Sequence, residues 1–377
     1  MKCMQKGDCH HLLQKGTKEI MEQMKPKERF LAALKGEETD RVPLYDFLFQ
    51  KPLYTELIGK TPDGYDAVEA LELTAKLGLD AVSIPFGAYT GCEPVMISDN
   101  VYKDEWGTTF EKNEASWPVD APIEYPIVTR DDLSSYVPPD PRAEGRLEPI
   151  GSAIAANKDD IALFCNVQGP FSTAWMLMGY ERISFALYDD PEIIRQIMRM
   201  SNDYFKVAAK LVVAAGADGI ILADDLGHST GGFVSNAHFT EFVFPPFKEL
   251  VQHIKGLGVP VMLHTCGCVK QYMDMFIEAG VEAIHPIQRT AGMDLRETKE
   301  KYGDRLCIIG NIDSSRTLPY GTPDDVRAEV KEAIQIAAPG GRYVLASDHS
   351  LHDGIPVENI VAMFDAAREY GQYPISI

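Results

Sequence analysis

A histidine and a cysteine two positions apart, His264 and Cys266, carry the side chains best suited to metal chemistry in this sequence. They end a short apolar run and precede Gly267, which lets the chain turn closely beneath a bound ion. Residues i and i+2 of a strand project to the same side, so the imidazole and the thiol can reach one ion together. Imidazole combined with thiolate selects zinc over magnesium or calcium. The alternative is a core histidine beside a buried cysteine, and Cys268 is either a further ligand or a structural thiol.

The third zinc ligand is expected from a different strand, because a catalytic zinc usually takes three protein ligands and keeps one position open. His349, in the polar run that follows the last apolar segment, is the predicted third ligand, and Asp348 is its rival. The alternative for this pair is a loop cap with two solvated side chains.

Two adjacent carboxylates, Asp224 and Asp225, follow another apolar run. Adjacent residues at the end of a strand project to opposite sides, so only one of them is expected in a pocket. That carboxylate could bind a substrate, act as an acid or base, or orient a histidine that binds the metal. We predict Asp225 as the catalytic carboxylate, together with His264 and His349. Capping of the glycine-rich turn that follows is the structural alternative.

Eight short apolar segments, separated by longer helical stretches, are positioned to hold these groups. The segments are Val42–Phe47, Asp80–Phe86, Ile161–Val167, Asp218–Ala223, Val261–His264, Glu282–Ile287, Leu306–Gly310 and Arg342–Ala346. The clearest helical stretches are Pro245–Gly256, Val269–Gly280 and Thr322–Ala338. Strand and helix in alternation imply a parallel sheet, and eight repeats imply closure into a (β/α)₈ TIM barrel. Active sites of such barrels lie at the carboxyl ends of the strands.

Several polar and aromatic residues follow these strand ends and are predicted to bind a substrate. They are Phe171, Trp175, Asp224, His228, Gln288 and Asn311. Phe171 and Trp175 belong to a stretch rich in aromatic residues and methionine, which suits either a planar substrate or ordinary core packing. His285 lies inside its apolar strand, and we interpret it as a core histidine.

The alternation is interrupted once, between residues 87 and 150, where we predict a β-ribbon around Trp106-Gly107 followed by a returning loop. Residues 26–377 are predicted to form one barrel that includes this insertion. Residues 1–25 are polar and mixed in charge, which indicates a helical or mobile extension. Cys9, His10 and His11 in this extension are a second possible metal group, which we set aside.

The formal net charge of −20 argues against nucleic acid or an anionic membrane as a partner, because both require clustered lysine and arginine. An odd number of cysteines, seven, with irregular spacing favours reduced thiols in the cytoplasm over a disulfide framework. No apolar run reaches the length of a membrane span. These totals fit an enzyme that acts on a small molecule, with a homodimer as a possible assembly.

From about residue 25 to its end, the sequence resembles the uroporphyrinogen decarboxylase superfamily. The matching segments are Lys27–Leu34, Asp40–Pro43, Asp104–Gly107, His264–Gly267, Gly310–Asp313, Gly321–Pro323 and Pro356–Ile360. Porphyrin decarboxylases carry an arginine-rich segment after the first strand, whereas this chain has Tyr45–Lys51 there, without arginine. A substrate with many carboxylates would find no counter-charges at that place.

The sequence is more similar to the corrinoid-dependent methyltransferase branch, in which His-x-Cys and a distant cysteine bind zinc. His349 stands at about the position of that distant cysteine, and it replaces thiolate by neutral imidazole. The resemblance therefore implies a zinc methyltransferase that moves a methyl group between a small, methoxylated compound and the cobamide of a corrinoid protein. The stronger Lewis acidity of a site with fewer thiolates suits polarisation of an oxygen.

Three other functions stay open at this stage. A methylcobamide:thiol methyltransferase of the coenzyme M type would use the same zinc to activate a thiolate. A metal-free decarboxylase or lyase would use Asp225 and His349 as acid and base on a small carboxylic acid. A non-catalytic metal-binding barrel is the last alternative.

Overall fold

A computed structural model describes residues 23–61, 64–86, 94–112 and 120–377. The predicted metal group of Cys9, His10 and His11 lies outside the described residues, as does nearly all of the predicted N-terminal extension. Within the described part of the chain, no helix has the length and apolar character that crossing a membrane requires.

One parallel sheet of seven strands forms the body of the molecule, and two smaller antiparallel sheets contain the other strands of the described residues. The strands are β1 (Ala81–Ile84), β2 (Val95–Met96), β3 (Val101–Lys103), β4 (Thr109–Glu111), β5 (Ala121–Glu124), β6 (Ala162–Gln168), β7 (Gly219–Ala223), β8 (Gly227–His228), β9 (Gly231–Gly232), β10 (Val261–His264), β11 (Ala283–His285), β12 (Cys307–Ile309) and β13 (Tyr343–Val344). Strands β1, β6, β7, β10, β11, β12 and β13 pair in that order, and every pair is parallel. They match seven of the eight predicted segments.

The remaining predicted segment, Val42–Phe47, is the first in the chain, and it closes the ring without forming a regular strand. The Leu345 N–H donates to Pro43 O at 2.9 Å, and the Asp80 N–H donates to Leu44 O at 2.9 Å. Pro43 has no N–H, and the carboxylate of Asp46 accepts the N–H of Ser347 at 2.7 Å, so side-chain and irregular contacts replace part of the ladder. The predicted (β/α)₈ TIM barrel is therefore confirmed, and its first segment, Val42–Phe47, is irregular.

Helices follow the barrel strands and cover the sheet. They are α1 (Pro26–Lys35), α2 (Lys51–Ile58), α3 (Ala67–Leu77), α4 (Arg130–Ser135), α5 (Glu148–Ala156), α6 (Pro170–Met178), α7 (Tyr180–Asp189), α8 (Pro191–Ala215), α9 (Asn236–His238), α10 (Phe244–Gly256), α11 (Met273–Ala279), α12 (Leu295–Tyr302), α13 (Thr317–Tyr320), α14 (Pro323–Ala337) and α15 (Val357–Tyr370). The three helices predicted from sequence correspond to α10, α11 and α14. A 3₁₀ turn at Lys270–Tyr272 takes the place of the predicted first turn of α11.

Helix α1 covers the amino-terminal end of the barrel. Phe30 of α1 is fully buried and packs edge-on against Phe164 of β6, with ring centroids 5.2 Å apart. The small inward-facing residues Ala81, Ala162 and Ala283 leave room for this ring. Apolar side chains fill the barrel interior at this end. The polar side chains predicted for the site lie at the opposite end, where the strands end at their carboxyl termini.

The insertion after β1 contains an antiparallel sheet in the order β2-β3-β4-β5, which confirms the predicted ribbon and extends it. Trp106 in its β3–β4 turn is buried and stacks on Phe205 of α8 at 5.8 Å between centroids. Beside it, the buried Arg146 Nη1 donates to Glu105 Oε1 at 2.8 Å. These contacts fix the sheet to the barrel through α8.

Candidate active site at the barrel mouth

The ends of β7 and β10 bring the predicted acid and the predicted thiol together. The two strands pair in register, with Ala223 opposite His264, and the Asp224 N–H donates to His264 O at 2.9 Å. Two residues beyond, the Cys266 thiol donates to Asp225 Oδ1 across 3.4 Å. Burial and this neighbouring carboxylate raise the pKa of the Cys266 thiol, so the sulfur is protonated in this arrangement.

The two adjacent carboxylates have different surroundings, as the alternation of strand residues predicts. Asp224 is fully buried against the first turn of α6, where its Oδ1 accepts the Ser172 N–H at 2.7 Å. A Cβ on Gly169 would fall 2.1 Å from the Asp224 Cγ, so α6 begins directly against this side chain. The half-buried Asp225 is held by its own N–H, which donates to Ser172 Oγ at 2.7 Å. Asp224 therefore caps α6. This role differs from the predicted one, in which Asp224 contacts the substrate.

Three imidazoles lie at the mouth. The Nδ1 atoms of His264 and His285 are 2.9 Å apart, and the ring of His349 stands nearly perpendicular to that of His264 at 6.2 Å between centroids. Burial lowers the pKa of His264 to about 4, although the negative charge of Asp225 opposes this shift. Burial also lowers the pKa of His349, so both imidazoles are neutral near pH 7.

The predicted zinc ligands lie at the same mouth without forming an assembled metal site. Cys266 contacts Asp225, and the rings of His264 and His349 are neighbours. The charge of Asp225 contributes to the pKa shifts of all three groups. Their donor types, two neutral imidazoles and a thiol, are those that zinc binds. Within the described residues, however, no three histidine, cysteine, aspartate or glutamate side chains lie together in a way that could hold a metal ion. The ligand set stays a prediction.

The rival ligand Asp348 is occupied by structural hydrogen bonds. Its Oδ1 accepts the N–H and the Oγ–H of Ser314, at 2.8 and 2.6 Å, and its Oδ2 accepts the Arg289 N–H at 3.1 Å. The side chain is buried and ties the end of β13 to the loop after β12. Of the two candidates from the last strand, His349 has one local contact, between its Nδ1 and Ser350 Oγ at 3.0 Å, whereas both carboxylate oxygens of Asp348 bind other loops.

An aromatic wall, formed by the rings of Trp175, Tyr180, Phe233 and His228, stands beside Asp225. Tyr180 stacks on Trp175 at 4.6 Å and on Phe233 at 4.5 Å between centroids, and the exposed His228 lies 5.6 Å from Phe233. Burial and the nearby Asp225 and Cys266 raise the pKa of Tyr180, which sets the wall next to these groups. The predicted Phe171 is buried behind the wall, 6.4 Å from Phe233.

Two predicted residues remain, Gln288, which supports the turn at Cys266, and Asn311. Gln288 Oε1 accepts the Gly267 N–H at 2.7 Å. Gly267 has φ +81°, and a Cβ there would fall 2.3 Å from the backbone of Gly227, so this turn requires glycine. Asn311 is buried, and its Oδ1 has no hydrogen-bond partner within the described residues.

Comparison with known proteins shows the family of the chain. The family model for uroporphyrinogen decarboxylase (URO-D) matches residues 25–370. The chain belongs to the URO-D family. The superfamily resemblance drawn from the sequence motifs is thereby confirmed.

The relatives of this URO-D family member include methyltransferases and decarboxylases. The methylcobamide:CoM methyltransferase MtaA of Methanosarcina barkeri is 27% identical over 362 residues, which cover 91% of this chain and 98% of MtaA. The uroporphyrinogen decarboxylase of Alkalilimnicola ehrlichii is 24% identical and is matched over 91% of this chain and 93% of its own. A solved methyltransferase from Methanosarcina mazei shares the fold, with a TM-score of 0.73, 24% identity and coverage of 92% of this chain and 99% of its own.

Sequence reasoning about this URO-D family member missed two residues of the mouth and one contact of a third. Tyr180 and Phe233 complete the aromatic wall, but each lies in a different loop or helix from Trp175, so no local spacing connects them. His285 is buried in the core, as predicted. Its contact with His264 was not predicted, because it depends on the register of the parallel pair β10–β11, in which the two histidines are opposite each other.

Proposed function

We propose that this protein transfers a methyl group between a small methylated compound and the corrinoid of a partner protein. The observation that carries the proposal is the contact between the Cys266 thiol and Asp225, with the neutral imidazoles of His264 and His349 beside each other at the same barrel mouth. Support also comes from relatives named methylcobamide:CoM methyltransferases, which match over nearly the whole chain.

Porphyrin decarboxylation is less well supported. The segment after the first barrel strand, where the porphyrin decarboxylases carry arginines, contributes aromatic rings to this mouth. Phe47 packs edge-on against His264 at 5.1 Å and stacks on Phe49 at 5.5 Å between centroids. An apolar surface of this kind does not stabilise carboxylate groups of a substrate.

We propose a methoxylated aromatic compound as the methyl donor. Its ring would lie against the aromatic wall, since stacked or edge-on aromatic contacts contribute about 0.5–1.5 kcal/mol beyond burial. The methyl–oxygen bond breaks, the reduced corrinoid supplies the electron pair of the new bond, and the phenolate oxygen takes up a proton. Asp225, half-buried beside the wall, is the proposed acid–base group for that oxygen.

Zinc is the proposed metal, with His264, Cys266 and His349 as its ligands. The bound ion would supply positive charge that stabilises the leaving oxygen. The protein contributes neutral imidazoles, because burial holds the pKa values of His264 and His349 below their ordinary value. Metal analysis of protein purified without added zinc tests the ligand set. We expect about one zinc per chain in the wild type and loss of zinc in Cys266→Ser.

The proposed reaction is tested by following reduced corrinoid protein by absorbance, without oxygen, with a panel of methoxylated aromatic compounds. We expect methylation by the wild type and at least about a hundredfold slower methylation by Asp225→Asn, as is typical when an acid–base group is lost. Asp274→Asn, on α11, is the matched control and should keep the wild-type rate. A silent panel, with the reverse reaction silent as well, would remove this function.

A second function, methyl transfer from methylcobamide to a small thiol, is favoured by the match to MtaA. The same absorbance assay discriminates the two when it is started from the methylated corrinoid and a thiol such as coenzyme M. Fast demethylation by the thiol, together with inactivity towards every methoxylated compound, would establish this second function instead.

A further inference from the structure

His285 contacts the mouth although it is fully buried inside the barrel. It ends β11 opposite His264 of β10, and the planes of the two rings differ by 30°, with centroids 5.1 Å apart. Their Nδ1 atoms are 2.9 Å apart, within hydrogen-bonding distance. An ordinary apolar core position would not place two ring nitrogens in this way.

The contact determines which nitrogen of His264 is available at the mouth. One of the two Nδ1 atoms must donate and the other accept, so the Nδ1 of His264 is occupied in either case. The other ring nitrogen of His264, Nε2, is then the atom left for a metal ion or a substrate. Which nitrogen of a histidine is used is generally set by the hydrogen bond that the other nitrogen makes.

Neighbouring rings hold His285 in place for this contact. Tyr45 and Phe47 pack edge-on against its imidazole, at 5.7 and 5.3 Å between centroids. Phe47 also packs edge-on against His264 at 5.1 Å, so one ring braces both imidazoles. The Nε2 of His285 has no hydrogen-bond partner within the described residues, which leaves the contact with His264 as the polar interaction of this ring.

We propose that His285 is a positioning residue, which binds the Nδ1 of His264 and thereby fixes His264 with its Nε2 directed to the barrel mouth. This inference rests on the proposed function only in taking the mouth as the reactive site. If Nε2 of His264 held a ligand such as zinc, its Nδ1–H would donate to His285 Nδ1. Partners of this kind orient metal-binding histidines in general.

The direct test uses the wild-type protein labelled with ¹⁵N-histidine, examined by NMR with and without added zinc. We expect a coupling between the two Nδ1 nuclei through the hydrogen bond. With zinc, we also expect a proton on Nδ1 of His264 and a shifted Nε2 resonance. Absence of the coupling, or a zinc-induced shift at Nδ1 instead of Nε2, would overturn the proposal without the need for any variant.

Two variants separate positioning from packing. In His285→Asn the amide can occupy the place of Nδ1 and either donate or accept, whereas His285→Leu fills the space without a polar atom. Zinc affinity, measured by competition with a chelator, should fall about 10- to 100-fold in His285→Leu and be largely restored in His285→Asn. His253→Gln, at a histidine that contacts Lys206 O on the outer helices, is the matched control.

The outcomes distinguish this inference from the proposed function. Equal zinc affinity in His285→Leu and His285→Asn, with both folded, would assign His285 to packing while methyl transfer could still be present. Conversely, a wild-type protein that binds zinc with the expected coupling but transfers no methyl group would support the positioning role and contradict the function.

Discussion

At the scale of single residues, the mouth is organised by Asp225. Its carboxylate accepts a hydrogen bond from the Cys266 thiol, and its charge contributes to the pKa shifts of His264 and His349. The sequence predicted these four residues because each ends or follows an apolar strand, and strand ends meet at one face of a barrel. It did not predict His285 or Tyr180, because their contacts join residues that lie far apart in the chain.

Asp46 is a buried acid where the first and last segments of the barrel meet, and it leads to a prediction about how stability depends on pH. Burial raises the pKa of Asp46 to about 7, while hydrogen bonds from Ser347 and the Phe47 N–H oppose the shift. The native state thus holds this proton more tightly than the unfolded chain, whose aspartate has a pKa of about 4. The protonated Asp46 contributes fully to the free energy of unfolding below about pH 4, and this contribution is lost as the pH rises towards 7.

We therefore expect Asp46→Asn to become more stable relative to the wild type as the pH rises from 5 to 8. The change is at most about 1.4 kcal/mol for each pH unit between the two pKa values. Urea unfolding of both proteins at pH 5 and pH 8 measures it. A constant difference between the two proteins over this range would show that Asp46 has an ordinary pKa.

At the scale of elements, short turns hold the side chains of the candidate site. The turn after β10 packs its Gly267 against Gly227 of β8, and the Cys268 N–H donates to His228 O at 2.8 Å. The glycine after Cys266 pointed to a close turn, but the β8–β9 hairpin that lies against it was not predictable. Two-residue strands with glycines carry too little apolar pattern to be recognised from sequence.

Gly267→Ala is expected to displace the hairpin and the thiol together. Its Cβ would meet the Gly227 backbone at 2.3 Å and would strain a left-handed conformation. We expect a loss of about 1–3 kcal/mol of stability and a marked loss of methyl transfer. Gly256→Ala on α10, where nothing lies within 4 Å of the added Cβ, is the control and should be neutral or stabilising. Unchanged activity in Gly267→Ala would contradict the close packing of this turn.

Helix α14 illustrates an element that sequence predicts well. Thr322 accepts the Asp325 N–H, and the Asp325 carboxylate accepts the Thr322 N–H at 2.8 Å, which forms a capping box. Thr322→Ala should reduce the free energy of unfolding by about 1 kcal/mol without altering methyl transfer. Urea unfolding checks the first expectation, and a stability equal to wild type would mean that the cap contributes nothing.

At the scale of the whole molecule, the barrel depends on the contact between its first and last segments. The eight repeats are visible in the sequence, but the irregular first segment is not, since Pro43 and the Asp46 side chain replace regular strand pairing. At the amino-terminal end of the barrel, the buried Asp80 accepts the Leu44 N–H at 2.7 Å and forms ion pairs with Arg29 and Arg41.

Asp80→Ala should destabilise the junction between the first segment, Val42–Phe47, and the segment that follows it. It removes the hydrogen bond to Leu44 and leaves two largely buried guanidinium groups without this partner, which costs about 3–5 kcal/mol. Asp365→Ala, which removes a half-exposed partner of Arg368 on α15, should change stability by less than about 1 kcal/mol. Thermal unfolding of both variants measures the two losses of stability, and similar losses would show that barrel closure does not depend on Asp80.

Transfer of a labelled methyl group tests the proposed activity most directly. A methoxylated aromatic donor with a deuterated methyl group would be incubated with this protein and a reduced corrinoid protein, and the corrinoid examined by mass spectrometry. We expect the deuterated methyl group on the corrinoid with the wild type, and strongly reduced labelling with Asp225→Asn. An unlabelled corrinoid with every donor, and no transfer from methylated corrinoid to any thiol, would contradict methyl transfer by this barrel.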